Sequence, residues 1–314
     1  MKIIAAFAVG LALAVTLPAV SAQAQNARSF VSAHGLDINS CALAAPCRTL
    51  AAAFAATNAG GEIDVLDPAG YGALTINKAI SIVNDGVGTA GVIVPSGGDG
   101  IAISAGPNDA VSLRGLSIEG GGVGATGISF NTGKSLTVEN CVIRHMTGDG
   151  IDFASSTATS ALTVSNTLVA DNGANAITFF PTGTATAVFN RIEANNNVNY
   201  GIYLVGFDSA ATNTINATVA DSVAAGNGQA GFTSITTSGK APASFMVFHS
   251  VAANNGTGVS AAGPGATVSI ANSTLTGNAT GWVVFPSGIV NSYGDNYIDG
   301  NGTNTGSLTP ISRQ

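Results

Sequence analysis

Apolar and polar residues alternate along this chain in short runs of three to five, too short for a surface helix and too regular for a loop. One run recurs as small residue, apolar, any residue, apolar. It reads Gly100-Ile101-Ala102-Ile103, Gly127-Ile128-Ser129-Phe130, Gly150-Ile151-Asp152-Phe153, Ala176-Ile177-Thr178-Phe179 and Gly201-Ile202-Tyr203-Leu204, and continues through Gly231-Phe232, Gly258-Val259 and Gly281-Trp282-Val283-Val284. The spacings are 27, 23, 26, 25, 30, 27 and 23 residues, about 26 on average. A period-2 pattern predicts strands, and self-similarity every 20–50 residues predicts stacked repeats.

A second run inside each period ends in a polar turn residue. Leu136-Thr137-Val138-Glu139-Asn140, Leu162-Thr163-Val164-Ser165-Asn166 and Thr186-Ala187-Val188-Phe189-Asn190 are the first copies, and later ones end at Asp221, His249, Asn272 and Asp295. Two residues earlier stand Val138, Val164, Val188, Val219, Val247, Ile270 and Tyr293, so strand alternation predicts that this apolar column and the turn residues share the inward side. Six residues after each turn residue stand Met146, Asn172, Asn196, Asn227, Asn255, Asn278 and Asn301. Asparagine accepts a left-handed turn conformation, and its amide both donates and accepts, so two stacked asparagine ladders are expected per rung. One comprises Asn140, Asn166, Asn190 and Asn272, with His249 as a further member; the other comprises Asn172, Asn196, Asn227, Asn255, Asn278 and Asn301.

The architecture these patterns predict is all-β: a right-handed parallel β-helix whose coils of about 26 residues stack strand on equivalent strand. The 245 residues from Glu62 to Gly306 make nine or ten coils, roughly 45 Å at one strand spacing per coil. A solenoid needs closed ends. At the N-terminal end, residues 47–57 have high helix propensity, place Leu50 and Phe54 on one face, and stop before Asn58-Ala59-Gly60-Gly61, which predicts a short capping helix. The expected layout is residues 1–24 for targeting, 25–61 for the capped opening segment, 62–306 for the β-helix and 307–314 for a tail. In the first segment, Lys2, an apolar run to Leu17, Pro18 and the small residues around Ala22 and Ala24 have the form of a cleaved secretory signal. That reading places the mature protein in a periplasm or outside the cell, with no membrane-inserted segment.

Composition sharpens this picture. Charged residues make up 9% of the chain, against about 25% in ordinary domains, while 41 residues are glycine. Helical bundles and coiled coils lack the charged faces they need here. A net charge of −7 without a basic cluster excludes a nucleic-acid partner. Three cysteines are present. Cys41 and Cys47, six apart around Pro46, suit a disulfide in an exported protein, and Cys141 is left over.

The opening segment carries Phe30-Val31-Ser32, Gly35, Asp37, Asn39, Pro46 and Arg48-Thr49-Leu50, followed by the apolar strand Glu62-Ile63-Asp64-Val65-Leu66 and the Gly70-Tyr71 turn. In these residues the chain resembles exported right-handed β-helix proteins of the pectate-lyase-like superfamily, and the resemblance runs through the whole mature chain. It implies the fold. It does not imply one activity, because lyases, hydrolases, epimerases, adhesins and inert members share the scaffold.

Catalytic members of that superfamily act on polysaccharides through groups that stand outward on one sheet. A lyase needs an Arg or Lys base beside an electrophile such as Ca²⁺, and a hydrolase needs facing carboxylates. The outward column Ala102, Ser129, Asp152, Thr178, Tyr203, Thr233, Ser260, Val283 holds one carboxylate. The column before the turn residue, from Arg114 and Glu139 through Ser165, Phe189, Ala220 and Phe248, holds no pair either. The charged patch around Glu139, Arg144, His145, Asp149, Asp152 and Asp171 supplies the catalytic candidates: Asp152, Asp149 and Asp171 as carboxylates that would gather a Ca²⁺, and Arg144 as a base. Asp149, in Gly148-Asp149-Gly150, also reads as a turn residue, and His145 as a solvent-facing one. Phe189, Phe248 and Tyr203 are outward aromatics suited to stacking on sugar rings. The expected function is therefore a non-catalytic exported β-helix that binds glycan or another envelope component, or acts as a rigid spacer, with a divergent polysaccharide lyase or glycoside hydrolase as the alternative. No cofactor beyond that Ca²⁺ is implied.

Overall fold

The structure is a computed structural model that describes residues 26–313. The expected signal segment, 1–24, lies outside the described residues. The chain winds through about nine turns, and every pairing between named strands is parallel. Each complete turn lays down three strands. The first belongs to a ten-stranded stack running from Leu74–Ile76 to Thr303–Thr305, here called face 1. The second and third, faces 2 and 3, stack into one twenty-stranded sheet.

Face 1 shows why the repeat has its sequence form. Ile101, Ile128, Ile151, Ile177, Ile202, Phe232, Val259 and Trp282 are direct register partners in successive coils. All but Trp282 are buried, and Phe130, Phe153 and Phe179 stack above one another with ring centroids 4.4 and 5.0 Å apart. The small residue before each apolar one is required by space. A Cβ at Gly231 would stand 2.8 Å from the Gly258 carbonyl oxygen and 3.1 Å from Asn255 Nδ2, and one at Gly201 would meet Gly231 and Asn227 in the same way.

Faces 2 and 3 meet at a corner where Asn140, Asn166, Arg191, Asp221, His249 and Asn272 all have φ between 46° and 54°. This corrects the first expected ladder in two respects. The left-handed residue breaks strand alternation, so its side chain turns outward, and Asn140, Asn166 and Asn272 are exposed together with His249. The coil at 184–195 is also offset by one. Ser165 pairs with Asn190, so Arg191 occupies the corner and Asn190 is a half-buried strand residue. Phe189 accordingly fills the bore, fully buried, while Val188 is 47% exposed. The larger apolar side chain takes the interior position, as the greater area it removes from water requires. Tyr203 and Phe248 do face outward, whereas Phe189 is unavailable to any ligand.

The offset carries into the second ladder. Asn197, not Asn196, joins it. Asn172, Asn197, Asn227, Asn255, Asn278 and Asn301 form one interior file, each Nδ2 donating to the next Oδ1 at 2.9, 2.9, 2.9, 3.0 and 2.9 Å. Each Oδ1 also accepts the backbone N–H of the preceding member, beginning with Met146 at 3.1 Å. Asn196 has φ +56° and is exposed. A hydroxyl ladder that the sequence reading did not identify lines the corner between faces 2 and 3. Thr167, Ser222, Ser250 and Ser273 sit just inside it; each accepts a backbone N–H from the preceding coil, and Asn296 ends the file. Interior turns thus satisfy their backbone groups by side chains where no neighbouring strand can.

The opening segment is part of the solenoid from its start, because Asn26–Val31 pairs with Thr57–Val65. Asp37 accepts the N–H groups of Arg48 and Thr49, both at 2.9 Å, and Thr49 caps the helix Leu50–Ala56. Asp67 holds Ser32 Oγ, Ala33 N–H and Tyr71 Oη, each at 2.6 Å. Cys41 and Cys47 are joined by a disulfide. At the far end, Thr309–Pro310 pairs with Asn291–Ser292, Arg313 pairs with Asp295, and Trp282 Nε1 donates to the Gly306 carbonyl at 3.1 Å, so the tail docks on the last coils.

Candidate functional site

The outer surface of face 1 is built from residues either side of the buried isoleucine column. One outward file is Asp99, Thr126, Asp149, Asn175, Tyr200, Ala230, Thr257, Thr280 and Thr303, and the next is Ala102, Ser129, Asp152, Thr178, Tyr203, Thr233, Ser260 and Val283. These two files carry three carboxylates and no Lys or Arg. The carboxylates gather at one end. Asp149 is held in place, with its Oδ1 accepting Asn175 N–H at 2.9 Å and its Oδ2 accepting Thr178 Oγ1 at 2.6 Å. Burial raises its affinity for a proton. Burial, and then the charges of Asp149 and Asp99, push Asp152 up to about 6. A carboxyl in that range has the protonation behaviour of a general acid or of a hydrogen-bond donor to a hydroxyl.

Two to four coils further on, loops rise over the sheet. The coil beginning at Gly201 is 30 residues long, and its extra length is the turn 206–214, clamped by Ser209 Oγ to the Thr182 carbonyl at 3.0 Å and by a bridge from Ala210 to Lys240. In the coils that follow, outward residues become buried floor: Thr233 and Ser260 are each 4% exposed or less. A cleft of about 440 Å³ opens above them, walled by Tyr200 and Tyr203 on one side and by Phe285 and Pro286 on the other. The two tyrosine rings stack at 4.4 Å and 8°. Desolvation pushes the Tyr203 hydroxyl up to about 12, so it stays protonated at neutral pH. The hydroxyls of Thr233 and Ser260 lie 2.8 Å apart on the floor.

The charged patch read from the sequence divides between two surfaces. Asp149 and Asp152 stand on face 1, joined by Asp99. Arg144 and His145 lie at the end of a face 3 strand and both pair with Glu119, at 2.9 and 2.7 Å. Asp171, with φ +57°, borders a separate depression with Gly121, Gly122, His145, Asn172 and Asn196. The expected convergence of Asp149, Asp152 and Asp171 on a Ca²⁺, with Arg144 beside them, therefore does not form. Among the described residues, no three His, Cys, Asp or Glu side chains are arranged to hold a metal ion. Cys141 is buried, and burial lifts its thiol to about 11, which leaves no thiolate at neutral pH. His249 pairs with Asp221 outside the corner. Sequence reasoning placed Tyr203, Thr233 and Ser260 outward but missed Tyr200, Phe285 and the cleft.

A family model described as a right handed beta helix region matches residues 65–219. No curated protein matches the sequence. Among solved structures, an alginate lyase from Paenibacillus sp. str. FPU-7 superposes with a TM-score of 0.57 at 12% identity, over 83% of this chain and 96% of that one. A pectate lyase, Pel9A, superposes with a TM-score of 0.46 at 17% identity, over 91% of this chain and 77% of that one. Among the described residues, no helix is long and apolar enough to cross a membrane. With every pairing between named strands parallel and the Ile101–Trp282 column in direct register, the chain has the right-handed parallel β-helix fold that this family model describes.

Proposed function

We propose that this is an exported glycan-binding β-helix that holds a neutral polysaccharide strand along the outer surface of face 1. The observation that carries the reading is the stacked Tyr200–Tyr203 pair beside a walled cleft on the side of the solenoid. Aromatic rings present an apolar face to the C–H side of a pyranose, and the Thr, Ser and Asn files beside them supply hydroxyl and amide groups for its edges. The two inner outward files hold Asp99, Asp149 and Asp152 with no cation, which repels uronate-rich chains and favours uncharged ones. Export is supported by the signal-like form of residues 1–24.

The test is affinity electrophoresis of the mature protein through gels containing neutral or uronate-rich polysaccharide. Retardation by a neutral glycan, abolished in Tyr203→Ala, is expected. Retardation by the acidic polymers alone, or none at all, refutes the reading.

A second reading, a glycoside hydrolase, is favoured by one observation: Asp152 holds a proton up to about pH 6 beside Asp149. It predicts new reducing ends from a neutral glycan, lost in Asp152→Asn. Tight binding without any turnover excludes it.

A further inference from the structure

We infer that the cleft beside Tyr203 is a subsite for an acetamido-bearing sugar, so that the glycan held on face 1 carries N-acetylated residues. This rests on the glycan-binding reading and specifies which chemistry the groove selects. Tyr203, Thr233 and Ser260 are register partners in three successive coils, one strand spacing apart, so the hydroxyl floor continues directly from the tyrosine wall. Thr233 and Ser260 are 4% and 3% exposed and bond to each other at 2.8 Å. Two hydroxyls carry two hydrogens, and one is used between them. Among the described residues no acceptor takes the other, so the pair retains one O–H donor at the base of the cleft.

That donor faces the cleft, where a ligand carbonyl can take it in place of water. The rest of the lining is mostly apolar, and the one further aliphatic hydroxyl, that of Thr236, already donates to the Ala241 carbonyl at 2.8 Å. Ile235, Ala262, Phe285 and Pro286 line the same space, an environment for a methyl group and not for a charge or a bare hydroxyl. One donor beneath an apolar pocket at the foot of an aromatic wall matches an acetamido group: its carbonyl oxygen accepts from the hydroxyl pair, its methyl contacts Ile235 and Ala262, and the pyranose ring lies against Tyr203. A plain hexose carries only a hydroxyl where the acetamido group stands, so it leaves the apolar part of the pocket unfilled.

Calorimetric titration of the mature protein with tetra-N-acetylchitotetraose and with cellotetraose separates the outcomes, because the two share a backbone and differ at the acetamido position. The acetylated tetramer is expected to bind at least ten-fold more tightly, about 1.4 kcal/mol. The double substitution Thr233→Val with Ser260→Ala preserves volume closely and should bring the two within two-fold, while Tyr203→Ala weakens both. Equal affinity for the two tetramers, or preference for cellotetraose, overturns the acetamido subsite while leaving glycan binding intact. A preference that survives the double substitution overturns it as well, since selection then lies elsewhere. Binding of neither tetramer overturns the subsite; if neutral polysaccharides still retard the protein, glycan binding alone stands.

Discussion

Neighbouring asparagines at 196 and 197 should respond very unequally to the same substitution. Asn197 is 1% exposed, and its side chain makes four close hydrogen bonds. It accepts from Asn172 N–H at 3.2 Å and Asn172 Nδ2 at 2.9 Å, and donates to Asn227 Oδ1 at 2.9 Å and the Asn195 carbonyl at 3.0 Å. Replacement by alanine removes all four where water cannot substitute. At about 1 kcal/mol net per bond, and with the Asn172 amide groups left without acceptors, the cost is about 4 kcal/mol. Asn196 is exposed at φ +56°, so Asn196→Ala costs only the weaker left-handed preference of alanine, about 1 kcal/mol. Urea unfolding followed by far-UV circular dichroism compares the two variants with the parent, with unfolding rates as the readout if refolding fails. Asn196→Ala as damaging as Asn197→Ala, or a cost below about 1 kcal/mol for Asn197→Ala, would refute the interior ladder as described.

Further consequences follow from burial and close approach. Phe153→Ala removes the middle ring of the Phe130–Phe153–Phe179 stack and should cost about 3–5 kcal/mol in the same denaturation assay. Gly231→Ala forces a Cβ against the Gly258 carbonyl and should lower the midpoint clearly, whereas alanine at exposed Gly239, with open space around it but φ +76°, should cost no more than the strain of that backbone. Asp152 has its proton affinity raised on folding, so its contribution is fully favourable below about pH 4 and is lost as pH rises through about 6. Asp152→Asn should therefore stabilise the protein at pH 8, by up to about 3 kcal/mol before solvent screening, and much less at pH 4; a pH-independent difference would contradict this. Reducing the Cys41–Cys47 bridge, which closes a six-residue separation, should lower stability by about 2 kcal/mol in thermal unfolding with and without reductant.

The period and the parallel stacking were legible because the strand positions that face the bore are filled by apolar side chains, with the buried polar files confined to the corners. The Ile101–Trp282 column has the same register in the structure as in the sequence pattern. Two features misled at finer scale. At 188–190, two apolar residues precede an asparagine, and local pattern favoured Val188 inward and Asn190 at the corner. The bore selects the larger Phe189, which moves Arg191 into the corner and Asn197 into the ladder. The corner residues themselves, Asn140 and Asn272 among them, turn outward because a left-handed residue interrupts the alternation on which their placement relied. The charged patch was legible as composition but not as geometry: Asp149 and Asp171, 22 residues apart, lie on different surfaces of the coil. The cleft depends on where Gly263, Phe285 and Pro286 lie against face 1, and turns outside the repeat carry no period from which that placement can be read.

The most direct test of the central claim is a crystal structure of the mature protein with a neutral oligosaccharide bound. The account predicts a sugar ring against Tyr203, above Thr233 and Ser260, with the chain running along face 1. A ligand seated on face 2 or face 3, or a face 1 cleft left empty at saturating ligand, would contradict it.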